Sequence, residues 1–121
     1  MSDAAALAIT RLSLTRFRNH RAARLDPGRR SVVLYGPNGA GKTNLLEAVS
    51  LLSAGRGLRQ ANFADLVSLG SAEGEGWAVA AEVAGPDGDI RLGTGWPPPG
   101  APAEGRAGQG RVVSVNGVAQ K

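Results

Sequence analysis

Residues 36 to 43 read Gly-Pro-Asn-Gly-Ala-Gly-Lys-Thr, which matches the phosphate-binding pattern G-x-x-x-x-G-K-[S/T] at every fixed position. The preceding residues 31 to 35 (Ser-Val-Val-Leu-Tyr) are mostly apolar and predict a short buried strand. Residues 42 to 54 predict a helix. A strand, a glycine-rich loop and a helix in this order are the context in which the pattern binds phosphates. The stretch therefore predicts an α/β fold built around a nucleoside triphosphate site.

Each residue type in the loop has a physical role. Glycines allow the backbone to curl so that successive N–H groups point inward, and the helix N-terminus adds to this anion site. Lys42 is predicted to reach the β- and γ-phosphates, and the Thr43 hydroxyl to hold Mg²⁺. Asn38 either caps the turn or faces the γ-phosphate. The predicted ligands are ATP and Mg²⁺, and the predicted nucleotide-binding residues are Gly36, Pro37, Asn38, Gly39, Ala40, Gly41, Lys42 and Thr43.

Composition excludes several other kinds of site. The chain of 121 residues has room for one domain at most, a nucleotide-binding lobe over residues 1 to 121. It has no cysteine, which excludes disulfides and thiolate metal sites, and its single His20 cannot form a histidine metal cluster. No apolar run approaches the roughly 20 residues of a membrane span. We therefore expect no membrane partner.

The net charge of +4 is concentrated near the start of the chain. Seven arginines lie between Arg11 and Arg30, with Asp26 as the only acidic residue among them. Such a cluster favours phosphate, whether of a nucleotide or of nucleic acid. The alternative is a solvated arginine-rich face in a chain whose basic residues are nearly all arginine.

The regions before and after the loop predict β-structure. Residues 7 to 14 and 21 to 25 predict two antiparallel strands joined by a turn at residues 18 to 20. From Trp77 the apolar residues alternate, and a turn at residues 85 to 88 leads to a partner strand at Ile90 and Leu92. Residues 93 to 110 are rich in Gly, Pro and Ala and predict a flexible loop. Asn116-Gly117 predicts a closing hairpin turn.

Two segments predict helices. The helix over residues 42 to 54 is predicted to turn Leu45, Leu46, Ala48, Val49 and Leu52 toward the core, and Asn44, Glu47 and Ser50 away from it. Residues 63 to 69 also show helical spacing, and Gly70 is predicted to end that segment.

The acidic part of an ATPase site is not assigned. An enzyme of this kind needs a second strand, normally four apolar residues followed by Asp, to hold Mg²⁺ through water. It also needs a group that activates the attacking water. None of the acidic residues after Thr43 is predicted to take either role. We therefore assign no catalytic residue and expect the chain to be the truncated, amino-terminal piece of a larger protein.

Four segments together resemble the RecF family of bacterial DNA replication and repair proteins. They are residues 14 to 20 (Leu-Thr-Arg-Phe-Arg-Asn-His), the loop at 36 to 43, residues 44 to 49 (Asn-Leu-Leu-Glu-Ala-Val) and residues 55 to 59 (Gly-Arg-Gly-Leu-Arg). Phe-Arg-Asn and Asn-Leu-Leu-Glu-Ala are shared more widely with SMC-like ATPase heads. Residues 55 to 59 are the more RecF-like element, although that family usually has an aromatic residue where Leu58 stands.

The resemblance implies a P-loop NTPase of the ABC/SMC-head type, with a mixed sheet, a phosphate-loop helix and an antiparallel β-lobe. Members are cytoplasmic, bind ATP and DNA at single-strand/double-strand junctions, and form homodimers that enclose two ATP molecules. They act with RecO and RecR and belong to the SOS response. The serine signature motif and the acidic strand of the family are expected beyond Lys121.

Other residues near the motif have competing interpretations. Arg16 and Arg18 lie where SMC-like heads bring basic side chains near the nucleotide, but one could instead pack its stem across the sheet while the other is solvated. Arg56 and Arg59 could contact DNA phosphates, a partner head, or neither. Phe17 is predicted to be a core residue rather than a base-stacking platform. Of the tryptophans, Trp77 is predicted in the core and Trp96 in the flexible loop.

Three alternatives remain at the sequence level. The chain could come from another SMC-like or ABC-type ATPase head, or it could be an inactive truncated fragment. It could also be a small P-loop kinase, although kinases usually place the loop directly after the first strand.

Overall fold

A computed structural model describes residues 8–28, 42–52, 63–68, 70–71, 75–86, 88–97 and 110–120. The strand predicted at residues 31 to 35 lies outside the described residues, as do loop residues 36 to 41 and the segment containing Arg56 and Arg59.

A single antiparallel sheet organises the described part of the chain. Its strands, in chain order, are β1 (Ala8–Phe17), β2 (His20–Leu25), β3 (Trp77–Gly85), β4 (Gly88–Trp96), β5 (Val112–Val115) and β6 (Val118–Gln120). Their order across the sheet is β2-β1-β3-β4-β5-β6, and every neighbouring pair is antiparallel. A helix, α1 (Lys42–Ser50), and a short 3₁₀ helix (Phe63–Leu66) complete the described elements.

One face of the sheet forms the core, as the period-two pattern predicts. In β3 the buried Trp77, Val79 and Ala81 alternate with the exposed Ala78 and Ala80. Opposite them, Leu12 and Leu14 of β1 are buried, and α1 and the 3₁₀ helix contribute Leu45, Ala48, Leu51 and Leu66. Alternation places these side chains on the same side, so the helices pack on one face of the sheet.

Tight turns join neighbouring strands where the sequence predicts them. Arg18 and Asn19 form the β1–β2 turn, and Phe17 pairs with His20. His20, predicted within the turn, is therefore the first residue of β2. Asn116 and Gly117 connect β5 and β6 with φ of 52° and 84°, and this hairpin is confirmed. Positive φ at both central positions is the geometry that Asn-Gly favours.

The predicted inner face of α1 is wrong at two positions. Leu46, predicted to be inside, is 53% exposed, whereas Glu47, predicted to be outside, is only 1% exposed. Glu47 can be buried because its carboxylate pairs with the guanidinium of Arg18. Arg18 is 29 positions away, so helical periodicity could not predict this contact. The helix also ends at Ser50 rather than at residue 54, since the Leu52 N–H bonds to the Val49 carbonyl in a tighter turn.

The flexible loop predicted at residues 93 to 110 is wrong at its start, because β4 continues to Trp96. Trp96 pairs with Trp77 and is 6% exposed. The glycines in this stretch led to the prediction of a loop. At Gly95, however, glycine permits close approach of the neighbouring strand, because a Cβ there would lie 3.0 Å from the Trp77 carbonyl oxygen. Residues 98 to 109 lie outside the described part, so the remainder of the predicted loop stays a prediction.

The second predicted helix is shorter than its sequence pattern. Residues 63 to 66 form the 3₁₀ helix, and Val67 then makes an antiparallel bridge to Phe17. Gly70 has φ of 84°, which agrees with the predicted end of this segment. The bridge replaces a further helical turn because it provides hydrogen-bond partners for the backbone at the end of β1. There the Arg18 N–H donates to the Leu66 carbonyl.

Candidate functional site

Helix α1 begins at Lys42, the seventh residue of the phosphate-binding motif, as the sequence predicts. The first N–H groups of a helix have no partner within it and carry a partial positive charge. The first turn of α1 contains no acidic side chain that would compete for those groups. This helix start therefore fits a bound phosphate, although residues 36 to 41 and the side chains of Lys42 and Thr43 are outside the described part.

The β1–β2 turn holds the beginning of α1. Asn44 Nδ2 donates to Asn19 Oδ1 at 2.8 Å. One turn further along the helix, Arg18 Nε donates to Glu47 Oε1 at 2.8 Å, and Arg18 Nη2 to Glu47 Oε2 at 3.1 Å. Two consecutive turn residues are thus bonded to two positions three residues apart on α1.

The Arg18–Glu47 pair is well buried on the carboxylate side. Glu47 has a side-chain exposure of 1%, and Arg18 of 24%. Two parallel N–H···O bonds form the planar fork geometry in which Arg and carboxylate interact most strongly. Removing one partner of a buried pair leaves an uncompensated charge and typically costs about 3–5 kcal/mol.

Another arginine holds the far end of α1. Arg111, which precedes β5, donates through Nη1 to the Leu51 carbonyl and to Thr94 Oγ1, the latter at 2.9 Å. Its guanidinium carbon lies 5.8 Å from the centre of the Phe63 ring. Burial lowers the pKa of Arg111, yet the cation suits a helix C-terminus, where the free carbonyls are partly negative. Sequence reasoning missed this residue because it lies 60 positions from Leu51.

Arg16 and Arg18 point to different partners. Arg16 Nε donates to the Gly76 carbonyl at 2.8 Å, and its Nη1 lies 3.5 Å from Glu75 Oε2. Arg18 contacts α1 as described above. Both guanidinium groups therefore have polar partners within the protein.

The aromatic residues near the turn belong to the core. Phe17 is fully buried and meets Trp77 edge to face, with ring centres 5.5 Å apart. Trp77 Nε1 donates to the Phe63 carbonyl at 2.6 Å. The prediction that Phe17 and Trp77 are core residues is confirmed, and a buried Phe17 has no face open to a nucleic-acid base.

Glu82 follows the run of four apolar residues that is expected before the acidic residue of such a strand. It lies, however, on the face of the sheet opposite to α1. Four apolar residues, 78 to 81, precede it in β3. Its neighbours Val79 and Ala81 face the core and α1, so alternation turns Glu82 to the opposite face. There its carboxylate lies 3.7 Å from Arg11 Nη1. This position separates Glu82 from the α1 N-terminus.

The described residues lack two further features, a metal cluster and a membrane-spanning helix. They contain no group of three or more His, Cys, Asp or Glu residues arranged to hold a metal ion. Within the same part of the chain, no helix is long and apolar enough to cross a membrane.

A family profile for the AAA domain matches residues 11 to 80. This match includes most of β1, all of β2, the phosphate-binding motif and α1. The chain therefore belongs to the AAA domain family.

Within that class, the curated relatives are proteins named DNA replication and repair protein RecF. The relative from Caulobacter vibrioides is 54% identical over 94 residues, which cover 75% of this chain and 24% of the relative. The relative from Rhizobium meliloti is 46% identical over 114 residues, or 93% of this chain and 28% of the relative. These matches confirm the predicted resemblance to RecF. The chain spans about a quarter of the length of these relatives.

Solved structures give the same result for the fold. The chain matches a structure described as the recombination mediator protein RecF-ATP in the RecFOR pathway, with a TM-score of 0.74 and 27% identity. That match covers 95% of this chain and 29% of the other. A structure from work on ATP-driven dimerisation of SMC ATPases matches with a TM-score of 0.72 at 16% identity, covering 94% of this chain and 72% of that one, which supports the fold alone. The predicted ABC/SMC-head fold is confirmed.

Proposed function

We propose that this chain is the nucleotide-binding lobe of a RecF-like ATPase and binds ATP through residues 36 to 43. One observation carries the proposal: the chain contains a complete phosphate-binding motif, and helix α1 begins at the lysine of that motif, Lys42. The helix start is free of acidic side chains and is held to the sheet by Arg18 and Asn19.

The residues have separate roles in this proposal. The loop glycines give the backbone N–H groups access to the phosphates, and Lys42 supplies positive charge at the β- and γ-phosphates. The Thr43 hydroxyl is the proposed protein ligand of Mg²⁺, which would supply charge neutralisation between those phosphates. Arg16 remains a candidate for contact with the nucleotide or with DNA, since its guanidinium is partly exposed. Arg56 and Arg59 remain candidates on sequence grounds.

At the level of the whole protein, we propose ATP-dependent DNA binding in replication, recombinational repair and the SOS response. The names of the relatives and the RecFOR description of the matched structure support this proposal. It includes binding at single-strand/double-strand junctions, partnership with RecO and RecR, an ATP-dependent homodimer and a cytoplasmic location.

The basic cluster gives limited support for a DNA surface on the described residues. Arg11 and Arg24 both bond to Asp26, so part of their charge is neutralised locally. The charge of Arg18 is paired with the Glu47 carboxylate. Arg21 is exposed and donates to the Gly70 carbonyl. Of these four arginines, Arg21 therefore has the charge most open to phosphate.

A nucleotide-binding assay tests the proposal. In the full chain, Lys42→Ala should abolish binding of a fluorescent ATP analogue, because Lys42 is the basic residue that the motif places at the β- and γ-phosphates. Arg91→Ala is the control, since Arg91 is an exposed residue of β4. Equal losses in both variants, or unchanged binding by Lys42→Ala, would contradict the loop assignment.

A further inference from the structure

Arg18 occupies a backbone conformation that arginine seldom adopts. It is the first of the two residues in the β1–β2 turn and has φ of 54°. Two-residue hairpins with positive φ at this position usually place Gly, Asn or Asp there. A longer side chain at positive φ costs free energy that must be offset by other interactions. Interactions outside the turn must therefore offset the cost of this conformation at Arg18.

The side chain supplies such interactions. Its guanidinium reaches α1 and binds both oxygens of Glu47, at 2.8 and 3.1 Å. Glu47 lies four residues after Thr43, so a single helical turn separates the buried pair from the end of the phosphate-binding motif. Any shift of Arg18 is thus transmitted to the part of α1 nearest the phosphates.

The turn is rigidly held on its other side. The Arg18 N–H donates to the Leu66 carbonyl at 2.7 Å, and the Ser68 N–H to the Arg16 carbonyl at 2.8 Å. Phe17, between the two arginines, is fully buried. Asn19 adds the bond to Asn44 in the first turns of α1. The turn is therefore a fixed support, and the helix start is attached to it at two points.

We propose that Arg18 is a positioning residue for the ATP site, which sets the place and direction of the α1 N-terminus through Glu47. This inference rests on the proposed function, because it requires phosphate to bind at residues 36 to 43. It does not require Arg18 to touch the nucleotide. Asn19 acts in the same way through Asn44.

The test separates positioning from simple stabilisation by replacing the pair with apolar residues. A buried ion pair exchanged for well-packed apolar side chains is often neutral or stabilising. The double variant Arg18→Met/Glu47→Leu should therefore unfold in urea at a concentration near that of the parent chain. Its affinity for the fluorescent ATP analogue should still fall about tenfold or more, the size of loss that is typical when a group that orients a metal ligand is removed. Arg18→Lys keeps the charge without the fork and should bind with intermediate affinity.

Each outcome decides the inference. Parent-like ATP affinity in the double variant would overturn it, because the pair would then matter to stability only. If the double variant is less stable than the parent, affinity is compared in Arg18→Lys and Glu47→Gln at a temperature where both are folded, and unchanged affinity there overturns the inference as well. Failure of the proposed function is distinct: in that case the parent chain binds no analogue, or Lys42→Ala binds as well as the parent.

Discussion

Glu47 carries a charge into the core because a single guanidinium meets both of its carboxylate oxygens. Its neighbour Leu46 is turned toward solvent by the same helical rotation. Apolar periodicity alone reverses these two assignments, since it scores Glu as a surface residue. At the scale of one residue, the partner decides burial more than the side-chain type does.

Asp26 offers a prediction about pH at this scale. Hydrogen bonds from Arg11 and then from Arg24 lower the pKa of its carboxyl below the ordinary value of 3.8. Arg11→Met should raise that pKa, because Arg11 makes the larger contribution, and Arg24→Met should raise it less. A carbon-detected NMR titration of the Asp26 carboxyl measures both.

The sign of the linked stability follows from this direction. A carboxyl whose pKa is lowered by folding stabilises the fold above its unfolded pKa, and that contribution is lost as pH falls through the folded pKa. The window therefore lies below about pH 4. Arg21→Met, a β2 variant whose side chain bonds to Gly70, is the matched control and should leave the Asp26 titration unchanged. An unaltered midpoint in Arg11→Met would contradict the assignment.

At the scale of an element, α1 is short and is fixed at both ends by residues distant in sequence. Arg18 and Asn19 bond to its first turns, while Arg111 binds the carbonyl just after its last turn. A helix of this length has little stability on its own in water. Its position therefore depends on these contacts and on the burial of Leu45, Ala48 and Leu51.

We predict that Arg111→Met destabilises the chain by about 1–2 kcal/mol, because it removes a cation from a helix C-terminus and leaves the Leu51 carbonyl without that donor. Urea unfolding measures the loss. Hydrogen exchange should accelerate at the amides of Leu51 and Leu52, with little change in the β1–β2 hairpin. Arg91→Met, an exposed change of the same kind, is the control, and equal effects of the two variants would contradict the capping role.

At the scale of the whole molecule, the six strands form a sheet with one face covered by α1 and the 3₁₀ helix. The acidic residue with the expected apolar run before it, Glu82, lies on the other face. The chain spans about a quarter of its RecF relatives. Glu82 is therefore not placed beside the α1 N-terminus, where an acid could orient water.

This arrangement predicts no steady ATP turnover by the purified 121-residue chain, even where it binds Mg²⁺ and ATP. Phosphate release above background is the measurement, with Lys42→Ala as the matched blank. Turnover that is lost in Lys42→Ala and also in Glu82→Gln would show that Glu82 completes the site, and the chain would then be a self-sufficient NTPase.

The sequence by itself determined the features that depend on neighbours along the chain. The motif at residues 36 to 43, the start of α1 at Lys42, the strand alternation from Trp77 and the Asn116-Gly117 hairpin are all local, because turn chemistry and side-chain periodicity act over a few residues.

Only the tertiary structure decided the features that join distant residues. The burial of Glu47, the strand ending at Trp96 and the contact of Arg111 with α1 each depend on partners 17 to 60 positions away. No local pattern encodes such partners, since the free energy of burying a charge or a glycine-rich strand is set by what packs against it. Arg18 shows both kinds of feature. The sequence predicts its place in a turn, whereas only the fold decides its contact with α1.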